Sequence, residues 1–192
     1  MQLARNLALE WGMHNIRVNC IAPGLVQTDF AKALWDNPEI LAHYGTPELK
    51  ERYLQPLIDG EIASCYSMTE PQGGSDPGQF RTRAYRDGDD WIIDGWKFFS
   101  SNASTASFFV VMAVTNPDLP PQKGMSMFLV PAGTPGLEVV RDIGLGGEPL
   151  GEGHHGLVHY DKVRVPADAL LGEEGQGFAV AHDVTRGWAM RG

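Results

Sequence analysis

The residues from Cys65 to Asp76 combine hydroxyl side chains with a glycine pair, in the order Cys-Tyr-Ser-Met-Thr-Glu-Pro-Gln-Gly-Gly-Ser-Asp. Thr69 and Ser75 each offer a hydroxyl that can donate or accept a hydrogen bond. Gly73 and Gly74 allow backbone conformations that other residues avoid, and such a loop can bring N–H groups close to a bound molecule. The stretch predicts a ligand-binding loop, with a plain strand and surface turn as the alternative.

The histidines and cysteines do not form a recognisable site. His154, His155 and His159 lie where alternation predicts a strand, which places His155 and His159 on one face and His154 on the other. We therefore expect no metal there. Cys20 and Cys65 are far apart, in apolar surroundings and without Cys-x-x-Cys spacing, so we expect buried, reduced thiols.

Short alternating segments predict the elements that position the loop, from residue 62 onward. Residues 80–85 and 91–94 flank an Asp87-Gly88 turn, which is typical of a hairpin. The other strand candidates are residues 108–114, 125–131, 137–141, 156–160 and 163–166. Regularly spaced short strands of this kind predict a compact antiparallel barrel or sandwich over residues 62–166, with helices mainly at both ends.

The first 42 residues have a different pattern. Leu3, Leu7 and Trp11 at helical spacing predict an amphipathic helix that ends at Gly12, and residues 16–22 predict a strand.

A second helix is predicted after a junction near residues 42–44. Thr46-Pro47-Glu48 supplies a cap, a proline at the first helical position and an acidic first turn. Leu49, Tyr53 and Leu57 then fall on one face of this helix.

Composition and charge exclude several classes of function. The chain has 192 residues, 43% of them hydrophobic, which is enough for a core. Its net charge of -9 argues against nucleic acid as a partner, because phosphate neutralisation needs a basic face. The longest apolar run, residues 108–114, is too short to span a membrane, and no signal peptide opens the sequence. We expect a cytoplasmic protein.

Residues 43–186 resemble the acyl-CoA dehydrogenase family. The resemblance rests on the stretch from Cys65 to Asp76 and on three further motifs, residues 92–102, 163–166 and 171–178. It implies a mainly β fold with flanking helices. Residues 43–61 would be the helical edge of the N-terminal domain, 62–172 the middle β-barrel domain, and 173–192 the start of a truncated C-terminal helical domain.

The resemblance also implies an FAD site and a thioester substrate. Tyr66, Met68 and Thr69 would lie along the flavin, with Thr69 bonding its pyrimidine edge. Gly74 and Ser75 would line the flavin and the acyl thioester, so that Ser75 also contacts the substrate.

Two residues of the motif at residues 92–102 complete this implied site. Phe99 takes the place of an aromatic residue that packs on the isoalloxazine ring, and Ser101 that of a hydroxyl residue that bonds flavin N5. An aromatic neighbour suits a flat apolar ring, and a donor at N5 stabilises the charge that accumulates there on reduction. Taken without the resemblance, Phe99 could equally be a core aromatic and Ser101 a solvated turn hydroxyl.

Residues 1–42 resemble part of the short-chain dehydrogenase/reductase family. The matching residues are Ile16-Arg17-Val18-Asn19, Pro23-Gly24 and Thr28. No glycine-rich dinucleotide fingerprint precedes them and no Tyr-x-x-x-Lys pair is available, so we expect no NAD site. Thr28 is then expected to cap a helix or turn. The predicted whole is a helix-strand-helix piece of Rossmann type followed by the β-domain.

The implied reaction is α,β-dehydrogenation of an acyl-CoA, passing electrons to an external acceptor. The family's catalytic carboxylate comes from the C-terminal helical domain, and this chain departs from the pattern after Arg186. We therefore predict no catalytic residue in it, with Glu70 structural, and a homo-oligomer or a separate helical-domain partner. The alternatives are a non-catalytic binding or assembly module in a truncated or chimeric chain and, third, an NAD(P)-dependent reductase.

Overall fold

A computed structural model describes His14 and residues 44–144 and 155–181. The two long ranges lie in one compact unit, Trp35–Gly192. The helix and strand predicted within residues 1–42, Cys20 and Thr28 fall outside the described residues, as does His154.

The chain enters the described region through a short helical segment. It consists of α1 (Pro47–Leu49), a π-helical stretch Lys50–Leu54 and α2 (Gln55–Ile58). The Thr46 hydroxyl accepts a hydrogen bond from the Leu49 N–H at 3.3 Å, which satisfies a backbone donor left free at the helix start. The predicted cap and the proline after it are confirmed.

The same segment packs one face on the domain. Tyr53 is buried, and Leu49 and Leu57 are partly buried against the same apolar cluster. These are the three residues that helical spacing placed on one face.

Within residues 44–144 and 155–181, eight strands form one sheet. They are β1 (Ser64–Ser67), β2 (Arg83–Asp87), β3 (Asp90–Ser101), β4 (Phe108–Val114), β5 (Met125–Pro131), β6 (Leu137–Ile143), β7 (His155–Val165) and β8 (Leu170–Leu171). A short helix, α3 (Pro121–Gly124), connects β4 to β5. Strand order is β6-β7-β3-β2-β4-β5-β8, with β1 paired to β4. The predicted mainly β fold is confirmed, although the described strands form an open sheet instead of a closed barrel.

The sheet is mixed, so the prediction of a purely antiparallel domain is wrong in part. β1 runs parallel to β4, with Ser64 opposite Phe108, and β2 meets β4 in parallel at Arg83 and Val114. All other pairs are antiparallel. Alternation of apolar and polar residues indicates that a strand has one buried face. It does not indicate whether the neighbouring strand runs parallel or antiparallel to it.

The Asp87-Gly88 hairpin joins β2 to β3 as predicted. β3 and β7 are longer than the sequence indicated, because β3 continues past Asp94 and the two candidates at 156–166 form one strand. Gly95 allows this continuation. At its φ of +150° a Cβ would lie 2.6 Å from the Thr82 Cα, so a side chain there would break the packing.

Two apolar clusters hold the domain together. One lies around Trp91, Phe109 and Tyr160, and the other joins Tyr53 to Phe108 and its neighbours. Within the described residues, no helix is long and apolar enough to cross a bilayer.

Candidate functional site

Hydrogen bonds join the residues after β1 to the middle of β3. The Phe98 N–H donates to the Thr69 carbonyl at 2.8 Å, and the Lys97 ammonium donates to the Met68 carbonyl at 2.8 Å. The Ser67 and Ser100 hydroxyls are 2.9 Å apart and buried. The two motifs, which lie about thirty residues apart in sequence, are therefore side by side.

Several side chains of these adjoining segments face away from the buried serines. Ser67 and Ser100 are buried, so by alternation Tyr66 and Met68 on one segment and Ser101 on the other face the opposite way. Tyr66 and Ser101 are exposed, whereas Met68 is half-buried against the cluster around Tyr53 and Phe108. The Tyr66 hydroxyl lies 3.8 Å from the Met68 sulfur, which confirms that these two share a face. We call Tyr66, Met68, Thr69, Phe99 and Ser101 the outward face.

Phe99 reaches this face through a strained backbone. Its φ is +57°, in the left-handed region that a bulky residue rarely adopts, and it lies where the β3–β7 register shifts between Lys97 and Ser100. Phe99 as a whole residue remains 43% exposed, and Tyr66 41%. A bulky residue held in the left-handed region at an energetic cost is typical of a functional surface.

The glycine loop lies beside the outward face. A Cβ on Gly74 would lie 3.5 Å from the Thr69 methyl group, an ordinary contact. A Cβ on Gly73 would lie 2.8 Å from the Gln79 Cβ, so Gly73 is needed for close approach. Neither glycine has a positive φ, so what Gly73 provides is space for the close approach and not a left-handed backbone. Ser75 is exposed at the loop tip.

Glu70 fixes the base of this loop. Its carboxylate lies 2.8 Å from the Lys97 ammonium, with both side chains shielded from solvent, and accepts from the N–H groups of Arg81 and Thr82. Burial raises the pKa of Glu70, but the Lys97 charge and these hydrogen bonds outweigh it and leave the pKa below its usual value. Glu70 is thus an ionised, fully engaged structural group.

Lys97 stays charged at neutral pH although it is buried. Burial lowers its pKa to about 8, and the Glu70 carboxylate opposes this shift. The ammonium also lies 4.9 Å from the centre of the Phe80 ring.

The two described histidines of β7 make separate contacts. His155 Nδ1 lies 2.9 Å from the Ser101 hydroxyl, whereas the His159 ring stacks on Trp96 at 4.0 Å. No group of three or more His, Cys, Asp or Glu that could hold a metal occurs in residues 44–144 or 155–181. Cys65 is buried and unpaired with another cysteine, as predicted, and burial raises the pKa of its thiol to about 12.

Sequence reasoning missed three features of the site. They are the Lys97–Glu70 ion pair, the His155–Ser101 hydrogen bond, and the buried contact of Tyr160 with Ser67, where the phenol donates at 3.0 Å. Lys97 carried a signal, because strand alternation from Ile93 places it on the buried side. A hydrogen bond between residues 54 apart carries no such signal.

The outward face suits a flat, largely apolar ring with a polar edge. Tyr66, Met68 and Phe99 supply aromatic and thioether surface. Thr69, after β1, and Ser101, at the end of β3, each supply a hydroxyl. The residues present therefore fit an isoalloxazine ring, on the chemistry of their side chains and on the strained backbone that holds Phe99 exposed.

Two family models match the chain. The acyl-CoA dehydrogenase middle domain matches residues 65–156, which include β1 from Cys65 onward, β2–β6 and only the first two residues of β7. The enoyl-(acyl carrier protein) reductase model matches residues 1–63, and so includes the segment from Thr46 to Ile58.

Individual proteins agree with the first of these matches. The probable acyl-CoA dehydrogenase FadE2 of Mycobacterium tuberculosis is 41% identical over 85% of this chain. The solved structure of a putative acyl-CoA dehydrogenase from Mycobacterium abscessus superimposes with a TM-score of 0.72 at 34% identity, over 85% of this chain. PigA, solved with FAD and proline, gives a TM-score of 0.71 at 33% identity over 82% of it.

The matches span part of each relative. The chain covers 38% of FadE2, 40% of the Mycobacterium abscessus protein and 40% of PigA.

Proposed function

Because residues 65–156 of this chain belong to the acyl-CoA dehydrogenase family as its middle domain, we propose that the chain supplies the flavin-binding β-domain of an FAD-dependent acyl-CoA dehydrogenase. The family is FAD-dependent. Bound FAD would supply the acceptor for the hydride that leaves the β-carbon of an acyl-CoA thioester, and a carboxylate would remove the α-proton.

One observation carries this proposal. The Phe98 N–H to Thr69 carbonyl bond brings the segment from Tyr66 to Thr69 beside Phe99 and Ser101. Five of the residues that the resemblance assigned to the flavin, from two separate motifs, therefore lie on adjoining segments, which supports the proposal.

Each side chain then has a defined role. Phe99 and Tyr66 present apolar ring surface to the isoalloxazine, and Met68 extends it. The Thr69 hydroxyl would bond the polar pyrimidine edge of bound flavin, and the Ser101 hydroxyl would bond N5. Gly74 would leave room for the ligand beside Thr69, and the exposed Ser75 would contact both flavin and thioester.

Proton removal requires a carboxylate other than Glu70. Glu70 is shielded from solvent and accepts hydrogen bonds from Lys97 and two backbone N–H groups, so it has no freedom to reach a substrate. We propose that the base comes from outside the described residues, from a helical domain or a partner. General-base catalysis contributes roughly 10²–10⁴ to the rate, so the β-domain alone should oxidise acyl-CoA negligibly.

The experiment is an anaerobic flavin assay of the purified chain. We expect saturable FAD binding with a structured visible spectrum, and little bleaching when a short-chain or long-chain acyl-CoA is added. Rapid bleaching would show that the chain contains its own base and would overturn the assignment of the base elsewhere. A chain that takes up no FAD would overturn the flavin-binding role and favour the alternative of a non-catalytic module.

A further inference from the structure

Ser101 and His155 face each other across two neighbouring strands. Ser101 is the last residue of β3, His155 is the first residue of β7, and the two are directly paired in the antiparallel register. The Ser101 Oγ and His155 Nδ1 atoms are 2.9 Å apart. Side chains that are directly opposite in a sheet point to the same face, so His155 borders the outward face.

The surrounding backbone holds this pair in place. After Ser101 the chain turns, with the Ala106 N–H donating to the Asn102 carbonyl at 2.9 Å. Gly156 follows His155, and a Cβ there would lie 2.6 Å from the Ala103 Cβ. Glycine therefore lets the start of β7 approach the turn that ends β3, which fixes the distance between the two side chains.

The His155 ring also contacts Phe99, the other β3 residue of the proposed flavin site. Its ring centre lies 6.4 Å from that of Phe99, at an interplanar angle of 83°. This edge-to-face arrangement is a favourable one for two rings. One imidazole thus contacts both of the β3 residues that the flavin proposal uses.

The hydrogen bond can run in either direction. A neutral imidazole carries one proton, on Nδ1 or on Nε2, and a serine hydroxyl carries one proton and two lone pairs. When Nδ1 carries the proton, it donates to Ser101 and leaves the hydroxyl proton free to point outward. When Nε2 carries it, the Ser101 hydroxyl donates to Nδ1 and offers only a lone pair outward.

We propose that His155 is a positioning residue that sets whether Ser101 offers a donor or an acceptor to flavin N5, an inference that rests on the proposed flavin site. N5 accepts a hydrogen bond in oxidised flavin and carries a hydrogen in the reduced form. The Nδ1–H tautomer of His155 suits the first state and the Nε2–H tautomer the second. The exchange leaves the number of protons on Ser101 and on the neutral His155 ring unchanged. Water takes the proton from one ring nitrogen and delivers a proton to the other.

A double-mutant cycle on FAD affinity tests whether His155 acts through Ser101. In the full chain we expect Ser101→Ala and His155→Leu each to weaken FAD binding about three- to tenfold, with the double variant no weaker than the worse single variant. His159→Leu is the matched control, since it removes a histidine from the same strand and face but one that stacks on Trp96. It should leave the dissociation constant unchanged.

The tautomer itself can be read by nitrogen NMR. With ¹⁵N-labelled histidine and bound FAD, we expect the His155 Nδ1 signal to move from a protonated to an unprotonated value when the flavin is reduced with dithionite. In Ser101→Ala this response should vanish, and the His159 signals should not respond in either protein.

The outcomes separate this inference from the flavin site. A parent chain that binds no FAD would overturn both. FAD binding that is weakened by Ser101→Ala but not by His155→Leu, losses that add in the double variant, or a His155 tautomer that ignores reduction would each overturn this inference and leave the flavin site standing.

Discussion

The Lys97 ammonium lies 2.8 Å from a Glu70 carboxylate oxygen, and neither side chain is open to solvent. Lys97 belongs to β3 and Glu70 to the segment that follows β1, so the pair joins the two motifs below their outward-facing residues. A second Lys97 hydrogen bond, to the Met68 carbonyl, adds to this connection. The geometry of the outward face therefore depends on a pair that no ligand would touch.

Replacing Lys97 by methionine should destabilise the protein strongly. The change keeps the length of the side chain but leaves the Glu70 carboxylate buried without its cation, which typically costs about 3–5 kcal/mol. The free energy of unfolding, from urea denaturation, measures this loss. The double variant Glu70→Gln/Lys97→Met should recover part of it, because it removes the uncompensated charge.

The control for this variant is Arg164→Met. Arg164 pairs with Asp87 and Asp90 at the surface, where its side chain is 51% exposed. Solvent screens this pair, so the free energy of unfolding should stay close to that of the parent. Equal losses in Lys97→Met and Arg164→Met would contradict the account of the buried pair.

Stability should fall in acid because of Glu70. Its folded-state pKa lies below the unfolded value near 4.5, so as pH drops the unfolded chain takes up the proton first. The stabilisation is present above the unfolded pKa and is lost as pH falls through the folded one. Urea denaturation at a series of pH values should show a shallower acid decline in Glu70→Gln than in the parent, from a lower starting stability. Parallel curves would contradict this role of Glu70.

The sequence predicted those parts of the fold that depend on local pattern. The Thr46 cap, the Asp87-Gly88 turn and the bounds of β4 and β5 all follow from neighbouring residues, and all are confirmed. The parallel direction of β1 relative to β4 was missed. It depends on which strands pair across the sheet, and these two strands are about forty residues apart in sequence. The His155–Ser101 bond was missed for the same reason.

The two loop glycines should respond differently to alanine. A methyl group on Gly73 would lie 2.8 Å from the Gln79 Cβ and 3.3 Å from the Asp76 carbonyl oxygen, so Gly73→Ala should cost about 1–3 kcal/mol of stability. On Gly74 it meets the Thr69 methyl at 3.5 Å, so Gly74→Ala should fold like the parent but bind FAD more weakly. Urea denaturation and FAD titration measure the two effects. A destabilised Gly74→Ala, or one with unchanged FAD affinity, would contradict this placement.

The backbone strain at Phe99 should be visible in stability. At a φ of +57° glycine is unstrained but alanine is not, so Phe99→Gly should be more stable than Phe99→Ala by about 1 kcal/mol. Tyr85, an exposed aromatic residue in the extended strand β2, should show the opposite order. If glycine is the less stable replacement at both positions, Phe99 is not strained.

The most direct test of the flavin surface is FAD titration of the parent, Phe99→Ala and Tyr85→Ala, followed by flavin fluorescence. Both variants remove an exposed aromatic ring from the same sheet, 43% and 45% exposed respectively, but Phe99 alone lies on the outward face. Stacking contributes about 0.5–1.5 kcal/mol beyond burial of area, so Phe99→Ala should raise the FAD dissociation constant at least about two- to tenfold, and Tyr85→Ala should leave it unchanged. Equal affinity in the parent and Phe99→Ala, or no saturable binding in the parent, would contradict the assignment of this surface to the flavin.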